Sequence, residues 1–223
     1  MRYLPLMWDT QGTQFLLVGG GRVAARKLTT LLKGESKFTV IAREFSPELD
    51  QLYRAHSERI RLIQQDIDED FPFIGYDFVV LATDQEELQE GLFQRARRQN
   101  IPVLRCDHSQ DSTFLLPRIS SHGDLTLGLS TGGKNPTISK IIGGELEEKL
   151  REYSPEKLEI LNDIRAALVR KQSPHVGAII ESLWQEEAIT IEAYWEELIE
   201  GKNRIEKEQT GHDSGGVHSK DPD

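Results

Sequence analysis

Short apolar runs separated by amphipathic stretches organise the first half of the chain. Residues 15–18, 38–42, 60–63, 78–82 and 101–106 are each a compact, largely apolar run of strand length. The first run ends in three glycines, Gly19, Gly20 and Gly21. Between the runs the spacing turns helical. Val23, Ala24, Leu28, Leu31 and Leu32 form an apolar stripe over 22–33. Ser46-Pro47 offers an N-cap and a first-turn proline to a second helix, and 86–99 reads as a third. Residues 4–6 read as a further short strand, with Gln11-Gly12 as a turn. Strands alternating with helices predict a parallel sheet wound on both faces, because connections of this length are not hairpins.

The pattern changes after Asp107. Residues 113–119 and 124–130 are strand-like, and Ser121-His122-Gly123-Asp124 between them has turn composition. This predicts a small antiparallel element outside the parallel sheet. Asn135-Pro136, Ser154-Pro155 and Ser173-Pro174 each predict a helix start. The last of these helices carries Ile180, Trp184, Ala188, Ile191, Trp195 and Leu198 on one face. The expected fold is α/β: an N-terminal Rossmann doubly wound parallel sheet over 1–112, a small element over 113–150 and a C-terminal α-helical region over 151–208. Residues 209–223 hold almost nothing apolar and are expected to form a disordered tail.

A chain of 223 residues has room for this one full domain and a smaller module. Its formal net charge of -10 argues against nonspecific nucleic-acid binding and against an anionic membrane surface. Cys106 is the single cysteine, which leaves no disulfide framework and no closed cysteine zinc site within the chain. No apolar run approaches membrane-spanning length, and residues 1–10 lack the basic-then-apolar order of a signal peptide. A cytoplasmic protein is expected.

The chemistry concentrates at predicted strand ends. Gly19-Gly20-Gly21-Arg22-Val23-Ala24 matches G-x-G-x-x-A, follows a strand and opens a helix. The first glycine permits a tight turn and Gly21 a close approach of backbone to a pyrophosphate. Ala24 permits close helix–strand packing. The second strand runs into Arg43-Glu44, where Glu44 suits the ribose hydroxyls of NAD and Arg43 equally suits the 2′-phosphate of NADP. Thr83 and Asp84 follow the fourth strand and either border the cofactor crevice or cap the next helix. Asp107 follows the fifth strand, where a carboxylate can assist proton loss during hydride transfer, or act transiently on a metal ion or on macrocycle N–H groups. The loop Ser130-Thr131-Gly132-Gly133-Lys134 offers backbone amides and one cation to an anion.

In this order the pieces resemble the dehydrogenase/ferrochelatase module of the siroheme synthases, a module also found as free-standing precorrin-2 dehydrogenases. The likeness rests on Leu4-Pro5-Leu6, on the run from Val18 through Gly19-Gly20-Gly21 to Lys27, and on Ala82-Thr83-Asp84 and Asp107. It extends through Phe114, Pro117, Gly123-Asp124-Leu125-Thr126 and Ser130-Thr131-Gly132-Gly133 to Pro136. The resemblance implies NAD as hydride acceptor in the oxidation of precorrin-2 to sirohydrochlorin. It allows ferrous iron as a second substrate if the chelatase activity is present. It implies a homodimer whose 113–150 segment crosses between subunits, and it fixes no resident metal. Asp107 falls on an aspartate implicated in both activities, and Ser130 on a serine near the tetrapyrrole. Arg105, Ser130, Gly132, Gly133 and Lys134 are the expected tetrapyrrole contacts, and Arg22, Arg118 and Lys140 are further cations for its carboxylates. Leu104 and Gln89 stand where the family often has asparagine, and Arg105 and His108 are not typical neighbours of the aspartate. Other readings of the same residues are a monofunctional dehydrogenase or chelatase, a non-catalytic NAD-sensing module, and a small-substrate reductase sharing only the cofactor fold.

Overall fold

A computed structural model of the chain describes residues 2–108 and 111–211, with side chains described as far as 199. The tail expected over 209–223 falls almost wholly outside the described residues. Two compact units divide the chain, Met1–Ser120 with Leu127–Gly144, and Ser121–Thr126 with Glu145–Asp223.

In the first unit, among the described residues, a five-stranded parallel sheet is built from β1 (Gln14–Val18), β2 (Lys37–Ala42), β3 (Ile60–Gln64), β4 (Phe78–Leu81) and β5 (Val103–Arg105). The spatial order is β3-β2-β1-β4-β5, so the direction of winding reverses between β1 and β4. The α/β doubly wound sheet expected from the alternating pattern is the observed fold.

Burial on both faces explains why the strands are apolar at successive positions rather than alternating. Phe15 and Leu17 of β1 point into one cluster, with Ala24, Ala25 and Leu28 of α1 (Arg22–Leu31) and Leu49 of α2 (Pro47–Ala55). Leu16 and Val18 point into the other, with Leu92, Phe93 and Ala96 of α3 (Glu86–Arg98). Phe15 stacks on Phe78 with ring centroids 4.7 Å apart, across the β1–β4 pair. The connection from β3 to β4 carries no helix, and Phe73 within it fills the second cluster in place of a helical side chain.

Several expectations change. Residues 4–6 form no strand. Leu4 and Leu6 stay exposed, and the segment is held instead by the Tyr3 hydroxyl donating to the Ser112 carbonyl at 2.9 Å and by Trp8 set edge-on against Phe78. The strand expected over 113–119 shrinks and shifts to β6 (Arg118–His122), which pairs with β7 (Leu125–Leu129). Thr113 explains the shift: its amide and hydroxyl both bond the Val103 carbonyl, so that stretch is spent continuing the edge of β5. Ser173 caps no helix. The next helix, α6 (Val176–Trp184), starts after His175, whose φ of 59° is left-handed.

Among the described residues of the second unit, α5 (Pro155–Arg170), α6 and α7 (Ala188–Gly211) bury Leu161, Ile164, Leu168, Leu183 and Ile191 together. The single helix expected through Ile180 to Leu198 breaks after Trp184. The Lys157 ammonium there donates to the freed carbonyls of Trp184 at 2.7 Å and Glu186 at 2.8 Å. Helix α4 (Pro136–Arg151) begins with Asn135 Oδ1 accepting from the Ile138 amide at 3.0 Å, as the Asn-Pro pair predicts. No helix among the described residues is long and apolar enough to cross a membrane.

Gly19, just past β1, is a point of close packing between strand ends. Its φ is 117°, and a β-carbon built on it collides with the Ala82 carbonyl of the neighbouring strand end. Gly19→Ala is therefore expected to lose about 2 kcal/mol or more of folding stability, from strain and collision together. Urea denaturation measures this, and an unchanged midpoint would contradict the packing described.

Candidate functional site

The reversal of winding between β1 and β4 leaves a crevice at the carboxyl ends of the strands, the general ligand position in open α/β sheets. A cavity of about 770 Å³ occupies it, a size that suits a cofactor-sized ligand. Its lining brings together Gly19, Gly20, Gly21, Arg22 and Val23 after β1, Arg43 and Glu44 after β2, Thr83 and Asp84 after β4, and Asp107 after β5. Ala24, the last residue of the motif, lies fully buried beneath the loop in the core cluster and serves packing alone.

The three glycines have three different reasons. Gly19 and Gly20 are forced by neighbouring backbone: a β-carbon on Gly20 collides with the Glu44 carbonyl, and the Ser46 amide donates to the Gly20 carbonyl at 2.8 Å. Gly21 is different. Its φ of -83° suits any residue, and a β-carbon there meets nothing within 4 Å. Folding does not require glycine at that position, which leaves the loop backbone open to close approach by a ligand. Helix α1 starts at the next residue with no side-chain cap and no acidic residue in its first turn. Its free amides and partial positive charge are thus left for an anion. The residues present therefore fit a dinucleotide pyrophosphate.

Thr83 borders the cavity and is not a helix cap. The N-cap of α3 is Gln85, and the Thr83 hydroxyl accepts from its amide at 3.3 Å. Gln89 is 2% exposed and reaches the cavity lining. Its Nε2 donates to the Thr83 carbonyl at 2.7 Å, while its buried Oε1 has no protein partner. A buried acceptor in a cavity wall is a place for a ligand donor or a water.

Asp107 is held from behind. Arg105 Nε donates to its Oδ1 at 3.1 Å and Nη2 to its Oδ2 at 2.8 Å, a bidentate pair, while Nη1 bonds the Glu90 carboxylate. His108 adds its amide to Oδ1 at 2.8 Å and places Nδ1 3.0 Å from Oδ2. Arg105 is the main reason the Asp107 carboxyl lies far below the usual carboxylate range, with His108 contributing in the same direction. In return the pair raises the Arg105 guanidinium. Glu90 is likewise lowered, by Gln94 first and by Arg105 second. Burial pushes the Cys106 thiol up.

Several expected contacts are not brought into this cavity. Arg105 has a side chain only 6% exposed, and its donors are spent on Asp107 and Glu90, so it positions Asp107 rather than meeting a ligand there. Ser130, Gly132, Gly133 and Lys134 do not line the cavity. The Ser130 hydroxyl instead accepts from the Gly132 amide at 3.1 Å, and both glycines have positive φ, so the loop is a self-bonded turn ahead of α4. Of the cations expected to share one pocket, Arg22 alone borders this cavity, and Glu48 pairs with it at 3.1 Å. Two residues escaped the sequence reading. Asp66 lies just past β3 and lines the cavity, a position the strand-end rule reaches once applied to every strand. Glu90 pairs with Arg105 across fifteen residues of sequence, and no local signal announces it. Among the described residues no group of three or more His, Cys, Asp or Glu is placed to hold a metal ion.

Comparison with known proteins bears on the family and the fold. A family model described as putative NAD(P)-binding matches residues 6–118. The siroheme synthase of Photorhabdus laumondii is 30% identical over 202 residues, covering 91% of this chain and 40% of that protein. Siroheme synthase 3 of Aeromonas hydrophila is 30% identical over 218 residues, covering 98% of this chain and 43% of that protein. The chain thus spans well under half the length of these curated relatives. A solved structure, SirC, precorrin-2 dehydrogenase, superposes with a TM-score of 0.69 at 20% identity, covering 89% of this chain and all of that one, a likeness of fold.

Two outcomes follow. Gly21→Ala is expected to leave the thermal midpoint unchanged while weakening dinucleotide binding about tenfold or more, read by calorimetric titration. The opposite pattern would make Gly21 a folding residue. For the buried pair, the Asp107 carboxyl is lowered on folding, so its contribution is present above the unfolded value of about 4 and is lost as pH falls below it. Arg105→Leu is expected to cost roughly 1–3 kcal/mol near neutral pH, less than for a fully buried pair because both carboxylates keep some solvent. That deficit should shrink as urea denaturation is repeated at progressively lower pH.

Proposed function

We propose that this chain, which belongs to the putative NAD(P)-binding family and is similar over 91% of its length to a siroheme synthase, oxidises precorrin-2 to sirohydrochlorin with NAD. The observation that carries this reading is the convergence of Gly21, a glycine that packing does not explain, and an anchored carboxylate, Asp107, on one cavity at the switch point of the sheet. Gly19, Gly20, Gly21 and the first amides of α1 hold the pyrophosphate; Arg22, Val23, Arg43, Glu44, Thr83 and Asp84 border the rest of the cofactor. Bound NAD supplies a hydride acceptor. Asp107 faces the same space as a carboxylate that Arg105 keeps ionised across the physiological range. It stabilises positive charge left on the macrocycle as hydride departs and assists the accompanying proton loss.

The proposal extends to the relatives' full name. Siroheme contains iron, so ferrous iron is a second substrate of this reading, inserted as the macrocycle gives up N–H protons near Asp107. It also extends to a homodimer. Ile138, Ile141 and Ile142 leave three apolar side chains exposed on one stretch of α4, which supports self-association. Ser130 and Lys134 remain the proposed contacts to the tetrapyrrole outside the cofactor cavity. A cytoplasmic location fits the same chemistry.

Anaerobic turnover tests the central claim: enzymatically generated precorrin-2 with NAD should yield NADH and the sirohydrochlorin spectrum. Asp107→Ala is expected to lower the rate about a hundredfold or more while NAD still binds. NAD binding with no turnover by the unaltered chain would sink the dehydrogenase reading and favour a nucleotide-sensing module.

A further inference from the structure

The carboxyl ends of β2 and β3 carry a charge pair that bears on which dinucleotide the cavity accepts. Arg43 Nε and Nη2 donate to Oδ1 and Oδ2 of Asp66, each at 2.9 Å. The register pairs Ala42 with Gln64, so the two side chains leave neighbouring strand ends. Backbone ties hold them there: the Gln65 amide donates to the Ala42 carbonyl at 3.0 Å, and Gln64 Nε2 donates to the Arg43 carbonyl at 2.9 Å. Both residues border the cavity.

In a dinucleotide fold the end of the second strand is read by the adenosine ribose. An acidic residue there takes the hydroxyls of NAD, and an arginine accommodates the 2′-phosphate of NADP. Here the position holds an arginine, yet its planar fork is closed on a carboxylate. Two bidentate bonds use only part of the acceptor capacity of Asp66, which keeps lone pairs for a hydroxyl donor. Glu44, Asp84 and Asp107 add three more carboxylates to the same lining, against which Arg22 is the other arginine. A 2′-phosphate would have to displace Asp66 from Arg43 and then lie among those acids. A ribose hydroxyl would need to displace nothing.

Resting on the reading of this cavity as a dinucleotide site, we propose that the Arg43–Asp66 pair selects NAD over NADP. Asp66 is the acceptor for the ribose, replacing the acid usual on β2, and Arg43 is withheld from phosphate while it orients that acceptor. Both side chains are well exposed, so the pair contributes little to folding and its effect falls on ligand choice.

Calorimetric titration of the full chain with NAD and separately with NADP tests this, with thermal melting to verify the fold of each variant. The unaltered chain is expected to bind NAD at least about tenfold tighter. Asp66→Asn frees Arg43 and should move the NADP-to-NAD affinity ratio toward NADP by about tenfold, and adding Arg43→Ala should remove that gain. An unchanged ratio in Asp66→Asn, or an initial preference for NADP, overturns the proposal while leaving the dinucleotide site intact. Failure of the folded chain to bind either nucleotide overturns it together with the site reading. Binding of NAD without oxidation of precorrin-2 touches only the choice of substrate.

Discussion

At the carboxyl end of β1 the chain runs so close to its neighbours that neither Gly19 nor Gly20 has space for a β-carbon. Gly19 lies against the Ala82 carbonyl beyond β4, and Gly20 against the Glu44 carbonyl beyond β2. These two approaches bring three strand ends around one point. They also aim the first turn of α1 across the gap, because the Gly19 amide is tied to the Ile41 carbonyl and the Gly20 carbonyl to the Ser46 amide. The cavity follows from this: the sheet winds away in both directions from β1 and β4, and the space above the reversal is left for a ligand.

Charge inside that space is arranged by pairing rather than by excess. Arg22 faces Glu48, Arg43 faces Asp66, and Arg105 faces Asp107 and Glu90. Each of these three arginines thus has a carboxylate of its own. The uncapped start of α1 offers an anion backbone amides that require no unpaired arginine. The Arg105 pair differs from the other two in burial. Its guanidinium lies inside the protein, with its plane over Phe93 at 5.3 Å from the ring centroid. It therefore fixes the direction and ionisation of Asp107, whereas the exposed Arg43 pair leaves the fold nearly indifferent.

Much of the fold was legible because its causes are local. The runs 15–18 and 78–82 are apolar at consecutive positions and too short for a buried helix, which fits strands buried on both faces, so β1 and β4 could be placed within a residue. Ser154 caps α5 as read, its hydroxyl accepting from the Lys157 amide at 3.1 Å. Errors arose where distant groups intervene. Lys157 ends α6 from across the helical unit, and the Thr113 bonds to Val103 divert a stretch with strand composition. Leu4 and Leu6 have strand-like spacing but find no neighbouring strand, and a lone strand has no partner for its backbone groups.

For the site, the sequence alone determined which residues stand at strand ends. Strand period and the glycine motif fix that, and it sufficed to bring the 19–23 loop, Arg43, Glu44, Thr83, Asp84 and Asp107 to one cavity. Tertiary structure decided what each charge does. Whether Arg105 meets a ligand or grips Asp107, and whether Arg43 is open or closed on Asp66, depends on side chains brought together from separate elements. Electrostatic partners are chosen by distance in space, and sequence spacing carries no record of it beyond a turn of helix or a strand pair.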